Sequence, residues 1–249
     1  MNSEQDPFVH HPELRDNIVD PMVSFFRTFH AKSIIEQHPE LARMAEYIHT
    51  DEQREQIRLN ALKDYPEEDL WIFAYGSLMW DPAFKFSEIR RAKVTDYERR
   101  FILKDVMGGR GNPDQPGLMA ALDHGSGCDG LVFRIPREII AVETEIICRR
   151  ELVMPNYIPT FVTAFIDDQP IRAFTFTADH EADQICTDIT RDEQIQYICG
   201  GKGILGTSME YLANIVSHFK ALGIVDQDCS SLLAEAEKFI QETNNKNRP

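Results

Sequence analysis

Apolar positions recur at a helical period through the first seventy residues, and then the texture of the chain changes. In that first stretch they fall at Val23, Phe25, Phe26 and Phe29, and again at Leu41, Met44, Ala45 and Ile48, among mostly polar side chains. Thr50 and Gln53 have capping-box spacing and predict a helix through Leu62, with Pro66 breaking the pattern. From Trp71 the runs become short and apolar. Trp71-Ile72-Phe73-Ala74-Tyr75, Phe101-Ile102-Leu103, Leu118 to Leu122, Gly130 to Ile135, Phe161 to Ile166 and Ile171 to Phe176 all predict strands. Asp167-Asp168-Gln169-Pro170 reads as a hairpin loop between the last two. Arg137 to about Arg150 predicts a helix with an apolar stripe of Ile139, Val142, Ile146 and Ile147.

The C-terminal part returns to helical spacing. Thr190 with Glu193, and Thr207 with Glu210, are capping-box pairs. After the second, Leu212, Ile215, Val216 and Phe219 share a face, and Gly223 suits the C-cap. A last helix is expected from about Ser231 to Glu242. Five or six short strands with one interrupting helix and terminal helices predict an α+β fold, a small closed or nearly closed β-barrel with flanking helices. The texture divides the chain into an N-terminal helical extension (1–70), a main domain (71–242) and a frayed tail (243–249).

Composition narrows the function. At 249 residues, 43% hydrophobic and 27% charged, the chain reads as globular, and no apolar run reaches the roughly 18 residues of a membrane span. Met1 to Asp6 lack the basic and apolar regions of a secretory leader. The net charge of −15 argues against nucleic acid or an anionic membrane as partner. The imbalance is uneven. Residues 1–70 hold 15 acids and 7 Lys/Arg, whereas residues 71–110 hold 5 acids and 8 Lys/Arg, a locally basic stretch that suits a small anionic ligand or is simply a solvated face. Cys128, Cys148, Cys186, Cys199 and Cys229 are odd in number and widely spaced, which points to a reducing cytoplasm and away from disulfides or zinc.

Several familiar chemistries lack an anchor. Gly201-Lys202-Gly203-Ile204-Leu205-Gly206 matches Gly-x-Gly-x-x-Gly literally, but a helix precedes it where a dinucleotide fold needs a strand. Gly203 stands where a Walker loop needs Ser or Thr, so a flexible loop is expected there. There is no Gly-x-Ser-x-Gly elbow. Cys148 has no nearby activating histidine and reads as a buried structural thiol. His10, His11, His30, His38 and His49 crowd the extension at irregular spacings and read as surface residues; no metal or other cofactor is expected.

One segment does suggest a site. The first strand runs into Phe73-Ala74-Tyr75-Gly76-Ser77-Leu78-Met79-Trp80. A strand that ends in Gly-Ser presents successive backbone N–H groups, and Gly76 is expected to supply a φ closed to other residues. Such a turn can cradle a carboxylate or a developing oxyanion; the plainer alternative is a tight turn beside an aromatic core.

Tyr75-Gly76-Ser77-Leu78-Met79-Trp80 resembles the Tyr-Gly-Ser-Leu signature of the γ-glutamylcyclotransferases, specifically their ChaC-like branch. More of that pattern follows in order: Arg99-Arg100-Phe101, Gly109-Arg110-Gly111-Asn112-Pro113 with Pro116-Gly117, Cys128-x-Gly130, Arg134-x-Pro136, Arg150-Glu151 followed by Tyr157, and Glu210-Tyr211-Leu212 with Gly223-Ile224-x-Asp226. The resemblance covers about residues 70–235. It implies a small mixed β-barrel with helices around it, and cleavage of glutathione to 5-oxoproline and cysteinylglycine. It places substrate on the loop Ala74, Tyr75, Gly76, Ser77, Leu78, Met79 and the catalytic carboxylate on Glu151. Two departures stand out. Met154-Pro155-Asn156-Tyr157-Ile158-Pro159 stands where Gly-Gly-Tyr-Arg is common after the catalytic glutamate, and Lys104 to Met107 replaces a Ser-Thr-Asp-His segment.

The chemistry fits that implication. The α-amine of a γ-glutamyl amide attacks its own γ-carbonyl, so proximity is built into the substrate. The amine must lose a proton and the leaving amine must gain one, and a single carboxyl group can do both. Glu151 closes the Arg137–Arg150 helix beside Leu152-Val153-Met154, an apolar setting that would raise its pKa. Arg149 and Arg150 either oppose that rise by pairing with it or hold substrate carboxylates. The plain alternative is a solvated glutamate, with Glu145, Asp123 and Asp81 as other acids of structural role. Arg110 is a candidate fork for a substrate carboxylate, and Tyr157 a candidate hydrogen-bond partner of substrate or Glu151. The expected partner is therefore a small molecule, glutathione or a related γ-glutamyl compound. The alternatives are ring closure on other γ-glutamyl amines or peptides, and a module that binds such ligands without turnover. The oligomeric state stays open, and the extension is left as a clasp, an oligomer contact or a lid.

Overall fold

The computed structural model describes residues 6–246. Residues 1–5, and 247–249 of the expected frayed tail, lie outside the described residues. The chain forms two compact units, one of residues up to Arg99 with Leu122–Asp179, the other of Arg100–Ala121 with residues from His180 onward.

In the first unit the extension supplies α1 (Ala31–Gln37) and α2 (Asp51–Leu62), with three-residue turns of 3-10 helix at Pro12–Leu14 and Phe25–Arg27 and a longer 3-10 stretch at Pro39–Glu46. The Thr50–Gln53 capping box opens α2 as expected, both reciprocal bonds being present. The aromatic run around Phe25 makes only a short turn. Ser24 accepts from the Phe26 N–H, and the rings of Phe25, Phe26 and Phe29 pack against one another at 5.3–5.8 Å in place of a helix face. His11 departs from the expected surface setting. It is buried, and its Nε2 accepts from the Arg91 N–H.

The strands of this unit are β1 (Leu70–Ala74), β2 (Glu88–Val94), the start of β3 (Tyr97–Asp105), the end of β4 (Gly117–His124), β5 (Cys128–Ile135), β6 (Tyr157–Ile166) and β7 (Gln169–Ala178). β1 pairs antiparallel with β5, β5 with β2, β2 with β6 and β6 with β7, and β7 returns to β1 in parallel through Trp71↔Ala173 and Ile72↔Phe174. Those pairings close a mixed five-stranded ring, the predicted small barrel. Phe73, Tyr75, Ala92, Val94, Val132, Val162, Ala164 and Ala173 meet in one buried cluster, each drawn from one face of its strand. β2 escaped the hydrophobic pattern because Glu88, Arg90, Arg91 and Lys93 mask the buried Ile89, Ala92 and Val94. The β6–β7 loop is shorter than expected. Asp167 and Asp168 both have positive φ (47° and 63°), a two-residue turn whose twist suits a hairpin, so Gln169 and Pro170 already belong to β7.

Helix α3 (Ile140–Glu151) follows a 3-10 turn at Arg137–Ile139. Its buried face corrects the expected stripe: Val142 is exposed, whereas Glu143, Thr144, Ile146, Ile147, Cys148 and Arg150 are buried. The cause is charge pairing. Arg27 of the extension grips Glu143 with two bonds of 2.7 and 3.0 Å, and the Lys85 N–H adds a third at 2.9 Å. A carboxylate can turn inward when its charge and lone pairs are met.

The second unit holds α4 (Arg191–Gly200), the small hairpin β8 (Lys202–Gly203) and β9 (Gly206–Thr207), α5 (Ser208–Leu222) and α6 (Gln227–Lys246). Both predicted capping boxes open their helices, and Gly223 ends α5 at φ 68°. The expected flexible loop at Gly201–Gly206 is instead that hairpin. α6 starts earlier and ends later than expected, so residues 243–246 are helical.

Arg27→Met should destabilise the fold by about 3–5 kcal/mol, because Glu143 keeps a buried charge without its cation. Urea unfolding of the variant measures this.

Candidate active site

The turn after β1 is fastened from several sides. The Tyr75 hydroxyl donates to the Phe176 carbonyl at 3.0 Å, and its own carbonyl accepts from Arg99 Nε at 2.6 Å. Arg99, buried, also donates to the Asp129 carbonyl at 2.7 Å, which joins the exit of β1 to β5. Gly130 is needed beside it, because a Cβ there would overlap the Ala74 carbonyl oxygen and the Phe73 ring. Gly76 itself has φ −134°, so the glycine-only φ expected at this turn is not what it uses. Ser77–Met79 make one turn of 3-10 helix with no side-chain cap; the Met79 N–H donates to the Gly76 carbonyl, and the Asp81 N–H to that of Ser77. Leu78 and Met79 are buried, and Ser77 is half-buried.

Glu151 is the last residue of α3, with its side chain 16% exposed. Leu152 and Met154 beside it are buried, as the apolar run predicted. Burial pushes the Glu151 carboxyl above its usual range, and the Arg150 charge opposes the rise. The open question about the two arginines resolves by geometry. Arg149 is taken by Glu145 at 2.8 Å and by the Arg27 carbonyl at 2.6 Å. Arg150, its side chain 4% exposed, places Nε 3.0 Å from Glu151 Oε1 and donates to Ser77 Oγ at 2.8 Å and to the Asp81 carbonyl. The Arg150 guanidinium therefore ties Glu151 to the turn after β1. Phe26 lies against the same guanidinium at 4.0 Å.

Other predicted residues fall as follows. Tyr157 opens β6 opposite Ala178. Arg110 belongs to the second unit, where it donates to the Thr207 carbonyl at 3.0 Å and lies 4.9 Å from the Tyr211 ring. Its loop wraps Asp105, a buried acid raised by desolvation that accepts from the backbone N–H groups of Met107 and Arg110. Gly111 suits that loop because a Cβ would overlap backbone atoms of Gly117 and Asp105. Of the other acids, Glu145 pairs with Arg149, Asp123 accepts from the His124 N–H, and Asp81 accepts from Ser24 Oγ. Sequence reasoning gave no site role to Arg99, Ser24 or Phe26; the Arg99-Arg100-Phe101 segment was the available signal for the first. Among the described residues no group of three His, Cys, Asp or Glu is placed to hold a metal ion. No described helix is long and apolar enough to cross a membrane.

The fold is shared with a crystal structure of a yeast γ-glutamyl cyclotransferase specific to glutathione, at TM-score 0.62 and 19% identity, over 69% of this chain and 97% of that one. In sequence the chain is similar to the glutathione-specific γ-glutamylcyclotransferase of Escherichia coli K12, 32% identical over 193 residues (77% of this chain, 83% of the relative). It is also similar to glutathione-specific γ-glutamylcyclotransferase 1 of Homo sapiens, 30% identical over 171 residues (66% and 76%). The model of the ChaC-like protein family matches residues 70–241, and the chain belongs to that family.

Arg150→Met removes the charge that opposes burial, so the Glu151 carboxyl should titrate at higher pH than in the wild type. Carboxyl carbon shifts followed by NMR across pH measure the displacement.

Proposed function

We propose that this protein cleaves glutathione to 5-oxoproline and cysteinylglycine, with Glu151 as the single proton shuttle. The observation that carries this reading is the mostly buried Glu151 carboxyl, linked through Arg150 to Ser77 in the turn after β1. The substrate's γ-glutamyl end lies along Ala74 to Met79, with the backbone of Gly76, Ser77 and Leu78 as anion cradle. The Glu151 carboxylate takes a proton from the α-ammonium. The freed amine attacks the γ-carbonyl carbon, and a C–N bond forms as the carbonyl oxygen takes up negative charge. Collapse breaks the bond to the cysteine nitrogen, which receives the proton from Glu151; the ring nitrogen then gives up its second proton to the same carboxylate, which passes it to the released amine, so that cysteinylglycine leaves as an ammonium and the lactam keeps one N–H. The step moves protons and one acyl bond and transfers no electrons, so side chains and backbone suffice for it. Burial suits the shuttle, because a carboxyl raised toward neutrality gives and takes a proton with little loss in either direction. Tyr157 is assigned to substrate in this reading, through a hydrogen bond.

A cytoplasmic setting fits the chemistry, since the five cysteines are free and glutathione is the abundant thiol of reducing compartments. A second reading, action on other γ-glutamyl amines, draws on Met154-Pro155-Asn156 ahead of Tyr157, where the family pattern carries Gly-Gly-Tyr-Arg. Comparing 5-oxoproline release from glutathione and from γ-glutamyl-alanine separates the two.

Glu151→Gln should keep the fold and lower turnover of glutathione by about 100-fold or more, read as 5-oxoproline by mass spectrometry. Wild-type release from that variant would discard the mechanism. The base must be ionised, so kcat should fall as the pH drops through the raised Glu151 pKa. The acid limb should therefore lie above the value of about 4.3 for an unperturbed glutamate.

A further inference from the structure

The segment ahead of the family-matched region reaches the catalytic carboxylate by way of Arg150. The family match begins at residue 70, and residues 19–29 lie well before it. Yet this strap is fastened to both elements that frame the site. The Val19 N–H donates to the Trp80 carbonyl at 2.8 Å, and Arg27 donates to the Ala83 carbonyl at 3.0 Å, both just after the β1 turn. On α3, Arg27 pairs with Glu143, and Arg149 donates to the Arg27 carbonyl. Between these anchors sit Ser24 and Phe26. Ser24, 6% exposed, donates from Oγ to Asp81 Oδ1 at 2.6 Å. The Phe26 ring lies 4.0 Å from the Arg150 guanidinium carbon.

We propose that Ser24 and Phe26 are positioning residues for the ring closure, holding Arg150 so that its Nε stays on Glu151. Asp81 is the competitor that makes the hold necessary. Its Oδ1 is 4.0 Å from Arg150 Nη1, and it is this same oxygen that the Ser24 hydroxyl occupies. A carboxylate freed of that hydroxyl draws the guanidinium toward itself and away from Glu151. Phe26 covers one face of the guanidinium, where it excludes water and blocks rotation out of its plane. The remaining charges facing this point are already committed: Arg27 to Glu143 from the strap, Arg149 to Glu145 on α3. The extension is thereby part of the reaction apparatus, although Ser24 and Phe26 act only through Arg150.

This inference rests on the reading of Glu151 as the proton shuttle, and two measurements keep them apart. The first is kcat and KM for glutathione in full-length Ser24→Ala and Phe26→Leu, with Met22→Ser, exposed in the same strap, as control. The second is the titration midpoint of the Glu151 carboxyl by NMR, which needs no turnover. Both variants should lose about tenfold in kcat with KM within about twofold, as expected when a reacting group is misplaced and substrate binding is not. In both, the Glu151 midpoint should move up, because the opposing cation has loosened; Met22→Ser should match the wild type. An unchanged midpoint in the near-isosteric Ser24→Ala overturns the inference, even if kcat falls with a lower melting temperature. Should Glu151→Gln retain turnover, the proton-shuttle reading fails, while the midpoint still shows whether the strap governs Glu151.

Discussion

A single guanidinium holds the site together. Arg150 is almost wholly buried, and its planar fork reaches Glu151, the Ser77 hydroxyl and the Asp81 carbonyl while one face rests on Phe26. A buried arginine keeps its charge and must satisfy its donors, so its partners are constrained in direction as well as distance. These partners come from three elements: the end of α3, the turn after β1, and the N-terminal strap. The carboxyl beside it is left in balance, raised by burial and lowered by one neighbouring cation. Under the proposed mechanism, that balance suits a group that both takes and returns a proton.

The barrel serves this arrangement by fixing where the turn begins. Closure through the parallel β1–β7 pairing leaves β1 flanked on both sides at Trp71 and Ile72, and β5 alone carries the pairing on to Ala74 at the start of the turn. Arg99 then fastens the Tyr75 carbonyl, and Thr175 Oγ1 donates to the Phe73 carbonyl at 2.9 Å. Helix α3 is fixed in turn by the Arg27–Glu143 pair, which buries a full carboxylate and so leaves little freedom to slide. Precision in the turn and precision in the helix meet at Arg150.

Much of this was legible in the chain. All three capping boxes were read from spacing and occur as read, because the cap is a local hydrogen-bond exchange within four residues. Six strands came from apolar runs. The seventh strand of the large sheet, β2, hid behind Glu88, Arg90, Arg91 and Lys93, because its buried Ile89, Ala92 and Val94 form neither an apolar run nor a strict alternation. The inward face of α3 was misread at Val142, because the apolar stripe ignores a long-range partner such as Arg27. At the site, the turn and Glu151 were marked in advance, whereas Arg150 was left between pairing and substrate binding, and Ser24 and Phe26 were not marked.

By itself the sequence determined the local elements, the signature turn, and the acid at the helix end. These depend on residues close together in the chain, where period, caps and ordered motifs act directly. Only the tertiary structure decided that the sheet closes between β1 and β7, that Glu143 turns inward, and that a strap some fifty residues ahead of the turn shields the arginine beside Glu151. Those outcomes come from charges and rings brought together across long loops, and their energies depend on burial that no short window of residues records.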